Sequence, residues 1–252
     1  MTKYNKLLVF WLLVPLASPA AAEDFAAVLQ WAQSVELSTP VSGVVQTVAV
    51  SAGQTVDSDT VLVKLEDTVF KARLDAAKAA FQLHSRLHEE AQKELEREQE
   101  MFDATMLSEH ELETARINAD RANAEYQAAK AAMAQAEYNW RHSEVRAPFD
   151  AIVLKVLAVP GKTVASNLRP EPLVTVALRD KMHVYAEVGR SIAAKLQPGQ
   201  KVVVKFAGKS FNGKLAHNVL EPVGDGKYPV YVEFSPGKGK AIAGQKAILV
   251  LP

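Results

Sequence analysis

The sequence predicts an α+β fold of several domains: a small, flattened β-sandwich split by a long antiparallel α-helical coiled-coil hairpin, with further β structure after it. Three observations carry this reading. A β-branched, turn-punctuated segment occurs twice at a constant offset of 108 residues. Between the copies, residues 68–143 contain no glycine and no proline. From Lys181 to Pro252 short strand patterns resume, with 11 Lys/Arg against 4 Asp/Glu.

The first 22 residues read as an export signal. Lys3 and Lys6 form a basic start, Leu7–Ala17 an apolar core, and Ala20-x-Ala22 a small-residue cleavage pattern. The apolar run is too short to span a bilayer, which takes about 20 residues. The chain has no cysteine, which excludes disulfides, thiolate metal sites and a lipidated N-terminal cysteine. The expected location is the periplasm. With 48% hydrophobic residues the chain can hold itself together by burial.

The repeat sets Thr39–Val56 above Ala147–Val164. Pro40 falls on Pro148, Val45 on Val153, Gly53 on Gly161 and Val56 on Val164. After three extra residues, Leu62–Leu65 falls on Leu173–Val176. Each copy reads as short strands joined by turns. Pro40, Gly43, Gly53, Pro148 and Gly161 are the expected turn and structural positions. The repeat also disposes of a nucleotide-binding reading. Gly161-Lys162-Thr163 resembles the end of a phosphate-binding loop, but the required earlier glycine is Val156, and the twin of Lys162 is Gln54. Gly161 is therefore expected to be a turn residue at positive φ.

The helical segment divides near Phe102–Glu111. Leu112, Ala119, Tyr126, Met133 and Trp140 form one row of the later arm, and Ala115, Ala122, Ala129, Ala136 and Ser143 the other. The earlier arm has Phe70, Ala77, His84 and Ala91 in one row and Leu74, Phe81, His88, Leu95 and Phe102 in the other. The alternating spacing of 3 and 4 is that of a coiled-coil seam. Ser108 followed three residues later by Glu111 is a capping box that starts the second helix. Arms of about 36 residues project roughly 50 Å at 1.5 Å per residue. That is too long to lie on the small β domain, so the hairpin must reach something else.

These residues resemble the periplasmic adaptor family, or membrane fusion proteins, of tripartite efflux and secretion systems, the type serving resistance–nodulation–division (RND) pumps above all. Thr39–Val45 (TPVSGVV) and Val145–Val153 (VRAPFDAIV) are similar to its two half-motifs, with Ala151 where the family usually has glycine. Val184–Phe206 and Phe211–Leu215 are similar to its barrel strands, with a Pro198-Gly199-Gln200 turn, and Ala241–Pro252 to a closing strand. The resemblance implies a lipoyl-like β-sandwich split by the hairpin and followed by a small β-barrel. The boundaries are 1–22 signal, 23–37 an N-terminal strand joining the barrel, 38–67 and 144–178 the lipoyl-like halves, 68–143 the hairpin and 179–252 the barrel. It also implies docking of the hairpin tip on an outer-membrane channel. The family carries Arg, then Leu four residues on, then Ser seven beyond; Arg97, Met101 and Ser108 have that spacing, with Met for Leu. The implied partners are that channel, an inner-membrane transporter at the barrel and lipoyl end, and further copies forming a ring. Family members working with RND pumps usually add a membrane-proximal domain, and the basic barrel, contacting anionic lipid, is one expected substitute for it.

Other chemistries find little support. His84 and His88 are four apart on one helical face but lack a third ligand, so no metal is expected. The five methionines are scattered. Lys64 is the nearest candidate for a biotinyl or lipoyl lysine, yet its neighbours are wrong and the carrier's tight turn is replaced by the hairpin. No nucleophile–base set occurs, so neither an enzyme nor a cofactor is expected. Export argues against nucleic acid. A periplasmic coiled-coil scaffold joining envelope proteins and an adaptor for a peptide or polysaccharide exporter are the other readings.

Overall fold

The computed structural model describes residues 23–165, 170–218, 221–237 and 241–251. The signal segment 1–22 lies outside the described residues. The chain divides into two compact units, with boundaries after Gln30 and after Asp180.

The unit Trp31–Asp180 contains the repeat and the hairpin. Strand β1 (Glu23–Trp31) belongs to the other unit, described below. Then come β2 (Ser34–Leu37), β3 (Gly43–Val48), β4 (Thr55–Val56), β5 (Val61–Leu65), α1 (Thr68–Asp103) and α2 (Glu109–Arg141). After the hairpin follow β6 (Glu144–Arg146), β7 (Ala151–Val156), β8 (Thr163–Val164) and β9 (Val174–Leu178). Two four-stranded sheets form, β2-β9-β7-β4 and β6-β5-β3-β8. Each takes strands from both repeats, so neither half is complete alone.

The registers repeat as the sequence does. Val45 pairs with Leu65 and Val48 with Val63 across β3 and β5, with a shift between Val45 and Thr47. Val153 pairs with Val176 and Val156 with Val174 across β7 and β9, with the shift between Val153 and Lys155. The halves then exchange strands: Gly43 pairs with Val164, and Val56 with Ala151. The shared core holds Val45, Leu62, Val63 and Leu65 from the first half and Val153, Val164, Leu173 and Val176 from the second.

The single strand expected over 23–37 is corrected. Two strands lie there, separated by Ala32 and Gln33. Only β1 joins the barrel. β2 pairs with β9 from Ser34↔Ala177 to Leu37↔Val174, as β6 pairs with β5. Leu37 packs against the sandwich core, and that burial makes the segment part of the sandwich.

Helices α1 and α2 form the antiparallel hairpin. Along α1 the rows containing Leu74, Phe81, His88 and Phe102 are the sheltered ones, and along α2 Leu112, Ala119 and Ala129 are buried. Phe81 and His88 both meet the Tyr126 ring, at centroid distances of 5.6 and 5.2 Å. Trp140 departs from the expected seam and is 38% exposed. By that turn α2 has reached the sheets, where Ser143 rather than Trp140 enters the interior. The hairpin root is tied down several ways. Phe70 packs on the sandwich core. The buried Thr39 hydroxyl donates to the His142 carbonyl at 2.6 Å and accepts from the Val41 amide at 3.2 Å. Lys64 pairs with Asp67 at 2.9 Å and with Glu144 at 3.9 Å.

The other unit is a closed six-stranded barrel of order β1-β10-β13-β12-β11-β14. Its later elements are β10 (Met182–Val188), α3 (Arg190–Ala193), β11 (Lys201–Phe206), β12 (Lys209–Asn218), β13 (Tyr228–Phe234) and β14 (Lys246–Leu251). Burial alternates along the strands, with Met182, Val184, Ala186 and Val188 of β10 inside. Gly213 allows β12 to pass close to β13: an added Cβ would sit 2.5 Å from a Val232 methyl.

Candidate functional site

The hairpin tip is built by the abrupt end of α1. The Ala104 amide donates to the Glu100 carbonyl at 3.1 Å, Thr105 to Phe102 at 2.9 Å and Met106 to Met101 at 2.9 Å. Thr105 stands at φ 60, a left-handed conformation usually left to glycine. Ser108 then adopts extended geometry and caps α2. Its backbone and hydroxyl donate to the Glu111 carboxylate at 3.0 and 2.6 Å, and the Glu111 amide donates to the Ser108 hydroxyl at 3.4 Å. These bonds hold the Glu111 carboxyl below its usual range, the Ser108 hydroxyl being the main cause.

Arg97 and Met101 share one face of α1, four residues apart. The Arg97 side chain is 60% exposed and pairs with Glu94 and, at 3.7 Å, with Glu90 on its own helix. Exposed pairs of this kind are weak, so the guanidinium can exchange them for acceptors on a partner. Met101 is 42% exposed. Ser108 lies beyond the turn, and its hydrogen bonds run to Glu111 rather than to Arg97. The residue that sequence reasoning passed over is Met106, 76% exposed at the turn itself. It stands outside both heptad rows. Its signal was an apolar pair, Met106-Leu107, inside an otherwise polar turn. The tip thus offers two exposed, unbranched apolar side chains, Met101 and Met106, with the exposed Arg97 guanidinium one turn before Met101 on α1.

The remaining predicted positions are scaffold. Gly53 and Gly161 both adopt φ 85, with open space where a Cβ would point. Gly43 lies 3.2 Å, measured from a built Cβ, from a Leu65 methyl and 3.8 Å from the Phe70 ring, at the hairpin root. Pro40 and Pro148 are exposed at matching points before β3 and β7. Gly161-Lys162-Thr163 is a turn leading into β8, and the Lys162 ammonium is taken up by Glu171 at 2.5 Å. Lys64 is a strand residue of β5, not a turn lysine, and the Asp67 carboxylate beside it raises its pKa. His84 faces Glu125 at 3.4 Å and His88 stacks on Tyr126. Among the described residues no helix is long and apolar enough to cross a membrane.

A family model described as CzcB-like, barrel-sandwich hybrid domain, matches residues 33–177, from β2 to β9. Solved structures share the fold. One is a MacA–MexA chimeric protein containing the Pseudomonas aeruginosa MexA alpha-hairpin domain: 20% identity, TM-score 0.66, covering 91% of this chain and 78% of that one. A second is the membrane fusion protein Spr0693 from Streptococcus pneumoniae R6: 18% identity, TM-score 0.67, covering 91% and 98%. A third is ZneB from Cupriavidus metallidurans: 22% identity, TM-score 0.51, covering 93% and 99%.

Proposed function

The chain belongs to the family of the CzcB-like barrel-sandwich hybrid domain, and from that premise we propose that it is a membrane fusion protein, a periplasmic adaptor linking an inner-membrane transporter to an outer-membrane channel. The observation that carries this reading is the hairpin. Helices of 36 and 33 residues leave the sandwich together and end in an exposed apolar tip. Their length is about 50 Å at 1.5 Å per residue. Such an arm has no role within its own domain, and its rooting by Phe70 and Thr39 suits a strut that transmits position. Copies would stand side by side in a ring with the tips of their hairpins on the channel. Arg97 and Met101 would make the contact, and Ser108 would fix the turn that presents them. The transporter would supply the energy, with an RND pump as the first class to test. The adaptor itself performs no chemistry.

The test is co-purification from cells. A tagged chain is expected to bring down both a transporter and an outer-membrane channel. Removing seven residues from each arm, around His84 and around Tyr126, preserves the seam and shortens the hairpin by about 10 Å. The shortened chain should keep the transporter and lose the channel. Recovery of neither partner by the full-length chain would move the protein to an envelope scaffold.

A further inference from the structure

The barrel carries a cleft whose chemistry the adaptor reading does not use. It is an open cavity of about 470 Å³ between the β11–β12 hairpin and β14. Ala207 and Gly208 form a two-residue turn with both φ positive, at 49 and 74. Turns of this type match the twist of the flanking strands and fix their register. Phe206 is thereby set opposite Lys209, and Lys205 opposite both Ser210 and, on the other side, Ile248. Three ammonium groups, Lys205, Lys209 and Lys246, surround the cavity. Lys205 is bonded to Asp24 at 3.1 Å. Lys209 and Lys246 meet no carboxylate among the described residues.

The surface beside the cleft is apolar. On the outside of adjacent strands Val28, Val203 and Ile248 are 39, 36 and 42% exposed. Ile248 stands directly opposite Lys205 and Ala26, while Val203, opposite Val250, and Val28, opposite Lys246, are its diagonal neighbours on either side, so the aliphatic side chains are interleaved with the lysines. Elsewhere on the barrel Lys181 meets Glu233 at 3.0 Å, whereas Lys195, Lys201, Lys214 and Lys227, like Lys209 and Lys246, meet no carboxylate among the described residues; what sets the cleft apart is that its lysines stand together around one cavity beside aliphatic side chains. An aliphatic patch bordered by unpaired lysines suits an interface where acyl chains begin below a layer of phosphates.

We propose that this face of the barrel docks on an anionic bilayer, with a lipid phosphate held in the cleft by Lys205, Lys209 and Lys246 and with Ile248 and Val203 against the interfacial region. The unpaired positive charge argues for an anionic surface, and the aliphatic centre for a bilayer rather than an acidic protein. The inference rests on the reading that places the chain in the cell envelope. It does not depend on what the hairpin tip contacts, so the two can fail separately.

The experiment is vesicle sedimentation of the protein purified from the periplasm. Vesicles of phosphatidylglycerol and phosphatidylcholine are compared with phosphatidylcholine alone. A lysine near an anionic surface contributes about fivefold to binding, so the double variant Lys209→Glu/Lys246→Glu should bind anionic vesicles at least about tenfold more weakly. A charge-matched pair away from the cleft, Lys195→Glu/Lys227→Glu, should lose no more than about twofold. If the glutamate pair misfolds by circular dichroism, Lys209→Gln/Lys246→Gln replaces it. Absence of binding to anionic vesicles would overturn the proposal. So would equal losses in the two pairs, which would mean diffuse charge attraction. Retention by a transporter's exposed domain through the same lysines, without vesicle binding, would assign the face to a protein and also overturn it.

Discussion

The Gly53 amide donates to the Val153 carbonyl at 2.7 Å. Its counterpart runs the other way: the Gly161 amide donates to the Val45 carbonyl at 2.8 Å. The next pair repeats the exchange, Val45 donating to Lys162 and Val153 to Gln54, both at 2.9 Å. Each repeat therefore closes the turn of the other, across a hairpin of helices in between. The hairpin leaves and re-enters between β5 and β6, so none of these bonds runs through it.

Gly53→Ala and Gly161→Ala should each destabilise the sandwich by about 1 kcal/mol, because an L-residue is forced to positive φ. Nothing lies near either Cβ position, so the cost is conformational alone. Gly43→Ala should cost less: its backbone is ordinary and Ala151 already occupies the twin position, so the one demand is that the Leu65 methyl, 3.2 Å from the added Cβ, shift slightly. Urea unfolding of the three variants checks the order.

The sequence made most of this fold legible. The offset repeat led to a sandwich built of two halves, though not to the exchange of strands between them, and the heptad rows led to the seam. Two further features escaped it. The break between β1 and β2 falls at Ala32-Gln33, where no glycine or proline marks it; it is set by which core takes Leu37. The turn at Thr105 uses positive φ without glycine, so the placement of Met106 could not be read from residue type. At the tip, the capping box of Ser108 and Glu111 was legible in the sequence and the structure forms it, whereas Arg97 and Met101 were marked by the family resemblance alone.

Ser108→Ala should lower the stability of the tip by about 1 kcal/mol through loss of the cap. Hydrogen exchange of the first turn of α2 should accelerate. Ser108→Asp restores a good cap and should restore both slow exchange and channel recovery. Restored exchange without channel recovery would give the hydroxyl its own part in docking.

The barrel should weaken on acidification. Burial lowers the His183 pKa, opposed by Glu233. The proton therefore binds the unfolded chain more readily than the folded one. Stability is full above the ordinary histidine range, near pH 6.5, and is lost as pH falls through the depressed value. In thermal melts between about pH 7 and 5, His183→Gln should flatten the part of the decline that this residue causes. Unchanged slope would assign the decline elsewhere.

Tyr185 gives a second pH signature. Its bond to Glu187 pushes the phenol up to about 12. With the folded value raised, this contribution is present below the ordinary tyrosine range, near pH 10, and is lost as pH rises towards 12. An ultraviolet titration should show one tyrosine ionising late, and Glu187→Gln should bring it back towards 10.

The central claim is that the hairpin tip meets an outer-membrane channel. A photo-crosslinking residue at Met106, the most exposed large apolar side chain of the turn, tests it in cells. The account predicts capture of a channel protein, lost when Arg97→Glu reverses the neighbouring charge. Capture only of other copies of the chain, or of an unrelated envelope protein, would contradict it.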